Sequence, residues 1–274
     1  MAYDRPMSFG LGHGRPLDPA PGVVAISQEE LGTLPDDILT NPDAGRIDPR
    51  QWFPCPDRRF ELEIGSGKGT FLAQQAELEP ETNFLGIEWA GEFCNFAADR
   101  IRRKREADGS FMHVRLLRAD ATEFLRWRCP PGICSVIHLY FSDPWPKKKH
   151  HKNRVVQHRF LLDAWKALTP GGELRIVTDH DDLWAWDQAH FGIWCEPGGL
   201  GSSPTGSIPP IPADVARELG ALPAQPYERL DFNRPESARE GELVGTNFER
   251  KFRDEGRSFN AGVLRKPHMA IQPD

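Results

Sequence analysis

The segment RFELEIGSGKGTFLAQQAELE, Arg59 to Glu79, carries a strand, a turn and a helix in one continuous reading. In RFELEIG apolar residues alternate with charged ones and the run stops at glycine, the pattern of a strand entering a turn. GTFLAQQAELE then spaces its apolar residues along one face of a helix. Between the two, Gly65, Gly67 and Gly69 let the backbone approach a ligand and present its N–H groups. A Walker phosphate loop needs Ser or Thr directly after Gly-Lys, and here Lys68 is followed by Gly69. A dinucleotide fingerprint needs two residues before its third glycine, and here there is one. Both nucleotide readings fail on spacing, which disfavours a nicotinamide dehydrogenase.

Downstream the alternation repeats. NFLGIEW reads as a second strand and EFCNFAADRIRRKRE as a helix with Phe93, Phe96, Ala97 and Ile101 on one face. FMHVRLLRAD is a third strand, ATEFLRWR a short helix, and ICSVIHLYF a buried fourth strand. VVQHRFLLDAWKAL is an amphipathic helix that stops at TPGG, and ELRIVTD is a fifth strand. Repeated β-α units at this spacing imply an α/β fold with a mostly parallel sheet and helices on both faces. Ligands of such sheets bind beyond the carboxyl ends of the strands, near the point where strand order reverses.

Acidic residues stand at those strand ends. Glu63 precedes the glycine turn, Glu88 ends the second strand and Asp120 the third. S-adenosylmethionine lacks a pyrophosphate but has a ribose, an adenine and a charged amino acid end, so it calls for carboxylates rather than a phosphate cradle. Glu88 stands where an acidic side chain takes both ribose hydroxyls, and Asp120 is placed to help hold the adenine. The plainer alternative is an ordinary β-α turn ringed by solvated carboxylates.

The fourth strand leads into FSDPWPKKKHHKNR, residues 141–154. Prolines on both sides of Trp145 stiffen the turn, and a stiff turn at a strand end can hold Asp143 accurately toward a substrate. Lys147, Lys148, Lys149, Lys152 and Arg154 follow, a candidate phosphate-binding patch. A solvated charged loop is the competing reading. His150, His151 and His158 match no familiar metal spacing, so no metal is expected. A second basic cluster, RIRRKRE from Arg100 to Glu106, ends a helix and there complements its dipole as readily as it would contact RNA.

The rest of the 274-residue chain sets the frame. Its net charge of -6 argues against indiscriminate nucleic-acid coating, though not against a local basic face. Twenty-five prolines foretell much irregular structure, concentrated in an expected N-terminal arm over residues 1–57 and a Gly/Pro/Ser-rich excursion at about 196–226. The arm is expected to be flexible unless docked on the body or a ligand. The rest, 58–274, reads as one domain. Five cysteines without a C-x-x-C pair point to reduced thiols. No signal-like or membrane-spanning stretch occurs, and a cytoplasmic location is expected.

On LEIGSGKG, FLGIEW, RAD, FSDPWPKKKHHKNRVVQ, GGELRIVTD and TNFE, residues 60 to about 265 resemble the bacterial tRNA (guanine-N7)-methyltransferases. The resemblance implies a Rossmann-like class I methyltransferase whose seven-stranded sheet ends in a hairpin that makes one strand antiparallel. It implies methyl transfer from S-adenosylmethionine to a variable-loop guanosine of tRNA, without an obligatory protein subunit. It assigns Glu63, Gly65, Glu88, Asp120 and Asp143 to the cofactor, with Asp143 also the catalytic residue. Lys147, Asp179, Thr246, Asn247, Phe248 and Glu249 fall at substrate-binding positions. The chain departs from the family pattern at Ser142, where proline is common, at Asn247, where lysine is usual, and at His180, where tryptophan or asparagine is usual. Rival readings are a class I methyltransferase acting on another base or amino group, and a non-catalytic RNA-binding protein of the same fold.

Overall fold

The computed structural model describes residues 16–27, 29–201 and 208–268. Parts of the expected arm (1–15 and 28), of the excursion (202–207) and of the C-terminus (269–274) lie outside the described residues. Strands β1 (Ala25–Ile26), β2 (Arg59–Ile64), β3 (Thr82–Ile87), β4 (Val114–Leu117), β5 (Cys134–Tyr140), β6 (Leu168–Thr178), β7 (Glu228–Leu230) and β8 (Asn260–Arg265) form one sheet in the order β1-β4-β3-β2-β5-β6-β8-β7. The pairs from β1 to β6 are parallel, and β8 runs antiparallel to both β6 and β7. This is the expected architecture with one addition: among the described residues the sheet has eight strands rather than seven, because β1 is supplied by the proline-rich N-terminal region.

Helices α1 (Thr70–Leu78), α2 (Gly91–Asp108), the short α3 (Ala121–Glu123), α4 (His158–Ala167) and α5 (Asp181–Cys195) follow β2 to β6 in turn. α3 runs directly into a π turn at Phe124–Arg128. α6 (Ala213–Leu219) lies inside the excursion and α7 (Asn247–Asp254) precedes β8. The buried residues of α2 are Cys94, Ala97, Ala98, Asp99, Ile101 and Arg105, a stripe rotated from the expected face so that Phe93 and Phe96 are only half-buried. Small residues win that stripe because α1 comes close: a Cβ on Gly69 would sit 3.0 Å from the Ala97 Cβ. TPGG does end α4, yet β6 already pairs at Leu168. The register jumps from Cys134↔Leu168 to Val136↔Glu173, so Thr169–Gly172 bulge out of the ladder.

Phe60, Leu62 and Ile64 of β2 join Ile137, Leu139, Leu174 and Ile176 in the main core, beneath α4 and α5. Charged residues alternate with them, a pattern that usually marks a face open to water. Here Glu61 and Glu63 are buried as well, 2% and 4% exposed. The sheet thus has one apolar face and one whose centre is polar.

Residues 16–57 lie against the body wherever they are described. Ile47 N–H donates to the Arg128 carbonyl (2.8 Å), the Asn83 amide to the Cys55 carbonyl (2.7 Å), and Phe53 packs edge-on against Phe60. The excursion docks on α4 through Arg159, which bonds Asp214 (2.6 Å) and Glu218 (2.8 Å). Asp163, buried beside Arg159 at 3.5 Å, is pushed up to about 6 by burial, which Arg159 only partly offsets. Among the described residues no helix is long and apolar enough to cross a membrane.

Candidate active site

Strand order reverses between β2 and β5, and their carboxyl ends deliver the glycine turn and the Asp143 loop side by side. In the turn, Gly65, Gly67 and Gly69 all take left-handed backbone conformations, φ +72°, +53° and +63°, which excludes most side chains there. The Gly65 and Ser66 N–H groups both donate to the Ile87 carbonyl, at 2.8 and 3.2 Å. Glu88, one residue beyond β3, accepts from Gly67 N–H and from Ala90 N–H, each at 2.8 Å. Its carboxylate therefore ties the glycine turn to the start of α2. Arg100 supports the turn from behind, donating to the Lys68 carbonyl (3.3 Å) and the Thr70 hydroxyl (3.0 Å).

Two glutamates on one strand show where a ligand is called for. Glu61 is fully partnered: Oε2 meets His138 Nε2 at 2.9 Å and Oε1 meets Arg59 at 2.7 Å, while His138 Nδ1 contacts the Tyr140 hydroxyl at 2.8 Å. Burial works to raise its carboxyl, but the His138 hydrogen bond and charge, with Arg59 behind them, hold it below the usual range. Glu63, two residues on and facing the same way, has an Oε2 without a hydrogen-bond partner among the described residues, as has the Ser66 hydroxyl. Burial, then repulsion from Glu88, drives the Glu63 carboxyl well up. Burial likewise raises Glu88 against its backbone donors, and Asp143 adds to the repulsion. A buried carboxylate with one oxygen left open is costly, so the cleft is complementary to a cation with further hydrogen-bond donors. The sulfonium, ammonium and ribose hydroxyls of S-adenosylmethionine fit that demand.

Glu63, Gly65, Ser66, Gly67 and Tyr140 line the cleft from the sheet side, and Thr246, Asn247 and Phe248 close it from the C-terminal side. Thr246 caps α7, its hydroxyl accepting from Glu249 N–H at 3.0 Å. Glu249 is fully buried and its carboxylate is taken up by the N–H groups of Leu243, Val244 and Gly245 and by Arg253. It shapes the loop that presents its neighbours. Asp179 pairs with Arg257 at 2.6 Å at the C-terminal end of β6. His180 caps α5, Nδ1 accepting from Leu183 N–H at 3.3 Å. Asp120 stands at the end of β4 as the cap of α3, with Oδ1 engaged by Thr122 and Glu123. A larger cavity of about 370 Å³ opens at the other end of the same sheet face, around Arg59, Glu79, Glu173, Arg175 and His268. Among the described residues it holds no unpartnered carboxylate, and it lies away from the switch point, so the smaller cleft is the candidate site.

Beyond β5, Asp143 is exposed at the rim. Trp145 takes φ +43°, a strained value for a bulky residue, of order 1 kcal/mol or more. It is held edge-on against His150. Lys147, Lys148, Lys149 and Lys152 are exposed along a 3-10 turn, Lys148–Asn153. Gln157 fastens that turn by donating to the carbonyls of His151, Lys152 and Arg154. Arg154 alone of the run is buried, its side chain 1% exposed. Sequence reasoning counted it with the lysines. The available signal was its being arginine: a planar fork suits a buried multi-acceptor site, whereas lysine stays hydrated. Among the described residues no cluster of His, Cys, Asp or Glu could hold a metal.

A mostly parallel sheet with one antiparallel insertion, a glycine turn at the switch point and a buried acid with one open oxygen beneath it define a class I methyltransferase. A family model described as "Putative methyltransferase" matches residues 57–194. The tRNA (guanine-N(7)-)-methyltransferase of Agrobacterium fabrum is 34% identical over 187 residues, 66% of this chain and 74% of that one. That of Corynebacterium diphtheriae is 36% identical over 149 residues, 54% of this chain and 55% of that one, so the match spans about half of that relative's length. The chain belongs to the tRNA (guanine-N7)-methyltransferase family. The aminoglycoside resistance methyltransferase NpmB1 aligns over 85% of this chain and 94% of that one at a TM-score of 0.46 and 18% identity, a distant likeness from which nothing about the site follows.

Proposed function

We propose that this chain methylates N7 of a guanosine in tRNA, in the variable loop, acting in the cytoplasm. The observation that carries the reading is one juxtaposition: the cleft above buried Glu63 is lined by Tyr140 at the end of β5, and the loop beyond β5 carries Asp143 and then the exposed lysine turn. Bound S-adenosylmethionine supplies a methyl group on a positively charged sulfur. Glu63, Gly65, Glu88, Asp120 and Asp143 would hold it, with Glu63 the acceptor left open for its cationic end.

Guanine N7 carries an in-plane lone pair, so its attack releases no proton and needs no general base. Positive charge arrives on the ring instead. Asp143, exposed at the rim, would accept hydrogen bonds from the guanine edge and stabilise that charge. Lys147 and its neighbours engage tRNA phosphates, while Asp179, Thr246, Asn247 and Phe248 contribute to the substrate side of the cleft. Glu249 acts through the loop it shapes. Alignment of the reacting groups supplies much of the remaining acceleration.

The test is methyl transfer from labelled S-adenosylmethionine to unmodified tRNA, with the product nucleoside identified by mass spectrometry. N7-methylguanosine in the variable loop is expected. A different methylated base would overturn the substrate, and tight RNA binding without transfer would favour a binding protein.

A further inference from the structure

Arg154 closes the basic run but does not belong to its surface. Its Nε donates to the Pro144 carbonyl at 3.0 Å. Pro144 sits between Asp143 and the strained Trp145, so this bond grips the Pro144–Trp145 peptide, directly after the residue that bears the site's exposed carboxylate. The other end of the guanidinium reaches α5: Nη1 donates to the Asp182 carbonyl at 3.4 Å and Nη2 to the Asp182 carboxylate. The plane lies over the Trp186 ring, 5.2 Å from its centroid. Trp186 is itself fixed by donating Nε1–H to the Val156 carbonyl at 2.7 Å.

One planar fork thus spans from the first turn of α5 to the loop beyond β5. Lysine, a single point donor, could reach one of these acceptors but not the set. A phosphate could not reach a side chain 1% exposed whose three nitrogens are all engaged. We propose that Arg154 is a positioning residue, which sets the Asp143 carboxylate against the methyl acceptor and makes no contact with tRNA phosphate. This rests on the reading of Asp143 given above.

The experiment compares Arg154→Ala, Arg154→Lys and Asp182→Asn with Lys149→Ala, measuring kcat, KM for tRNA, the dependence of tRNA affinity on salt, and amide exchange of residues 141–146. Arg154→Ala is expected to lower kcat by tens of fold, to leave the salt slope and tRNA affinity as in the wild type, and to speed exchange in that loop. Arg154→Lys recovers only part of the loss. Asp182→Asn, whose side chain is 61% exposed and tolerates change, gives a several-fold loss in the same pattern and decides the matter if Arg154→Ala does not fold. Lys149→Ala instead lowers the salt slope by about one. An Arg154 variant that shifts the slope as the lysine variant does, or one that keeps full kcat, overturns the proposal. Failure of the wild-type protein to methylate tRNA would sink the functional reading instead, while loop exchange would still report on the strut.

Discussion

Two basic clusters of similar density have opposite fates. In α2, Arg102 bonds Asp99 (2.8 Å) and the Asp18 carbonyl (3.1 Å), Arg103 bonds Asp99 (3.1 Å), and Lys104 pairs with Glu77 (3.2 Å). Arg105 goes further in, donating to the carbonyls of Val23, Phe111 and Val114. Arg102 and Arg105 thereby fasten the N-terminal region to the body. Beyond β5, by contrast, Lys147, Lys148, Lys149 and Lys152 are exposed, and no acid pairs with them among the described residues. Density of charge therefore does not mark an RNA surface. What matters is whether the fold has already brought acceptors to the bases.

The contrast breaks most sharply at the head of the exposed run. Asp143→Ala should lower kcat by about a hundredfold or more while tRNA affinity holds, a loss of the size seen when preorganised electrostatic groups are removed. Near-normal turnover would reduce Asp143 to a loop residue. Next, replacing the four lysines by glutamine should flatten the salt dependence of tRNA binding by roughly three in slope, at ~0.7–0.9 per phosphate contact. Arg102→Gln with Arg103→Gln should leave that slope unchanged, and a shift there would erase the distinction between the clusters. Arg105→Met should instead act on stability, by about 1–3 kcal/mol in denaturant unfolding, because it strands the buried Phe111 carbonyl and takes a donor from those of Val23 and Val114.

Titration sharpens the picture of the cleft itself. Glu63 is raised, so the folded ligand-free protein holds its proton at pH values where an ordinary glutamate is ionised. A cationic ligand favours the ionised form. S-adenosylmethionine affinity should therefore rise with pH up to the raised value, with proton release on binding, read by calorimetry in buffers of different ionisation enthalpy. Glu63→Gln should flatten that rise. For stability the sign is reversed: the folded state binds the extra proton, so ligand-free stability falls as pH climbs from the ordinary carboxylate range through the raised one. Asp163 gives the smallest effect, on the same sign. Its value of about 6, against 3.8, predicts stability lost between those pH values, so Asp163→Asn should raise Tm at pH 7.5 more than at pH 4.

The β-α alternation was legible because hydrophobic period and glycine placement are local signals, and the strand-end acids were legible because the topology puts strand ends together. Three features were not. Arg154 looked like its neighbours until its acceptors arrived from α5. Glu249 sat in a substrate motif, and only the folded loop shows its carboxylate consumed by three backbone N–H groups. The proline-rich residues before β2 had no periodicity of their own, since their order comes from distant contacts such as Ile47 to Arg128. Local pattern carries information about elements, and acceptors reached across the fold decide what charged residues do.

β1 has a consequence for the protein's behaviour in concentrated solution. Both margins of the sheet end in very short strands, two residues in β1 and three in β7. A second chain seeking to extend the sheet would find few free N–H and C=O groups at either margin. Remove residues 1–27, and β4 becomes the margin: Val114–Leu117, all four residues buried in the intact protein. Such a truncation should promote aggregation by strand addition along β4.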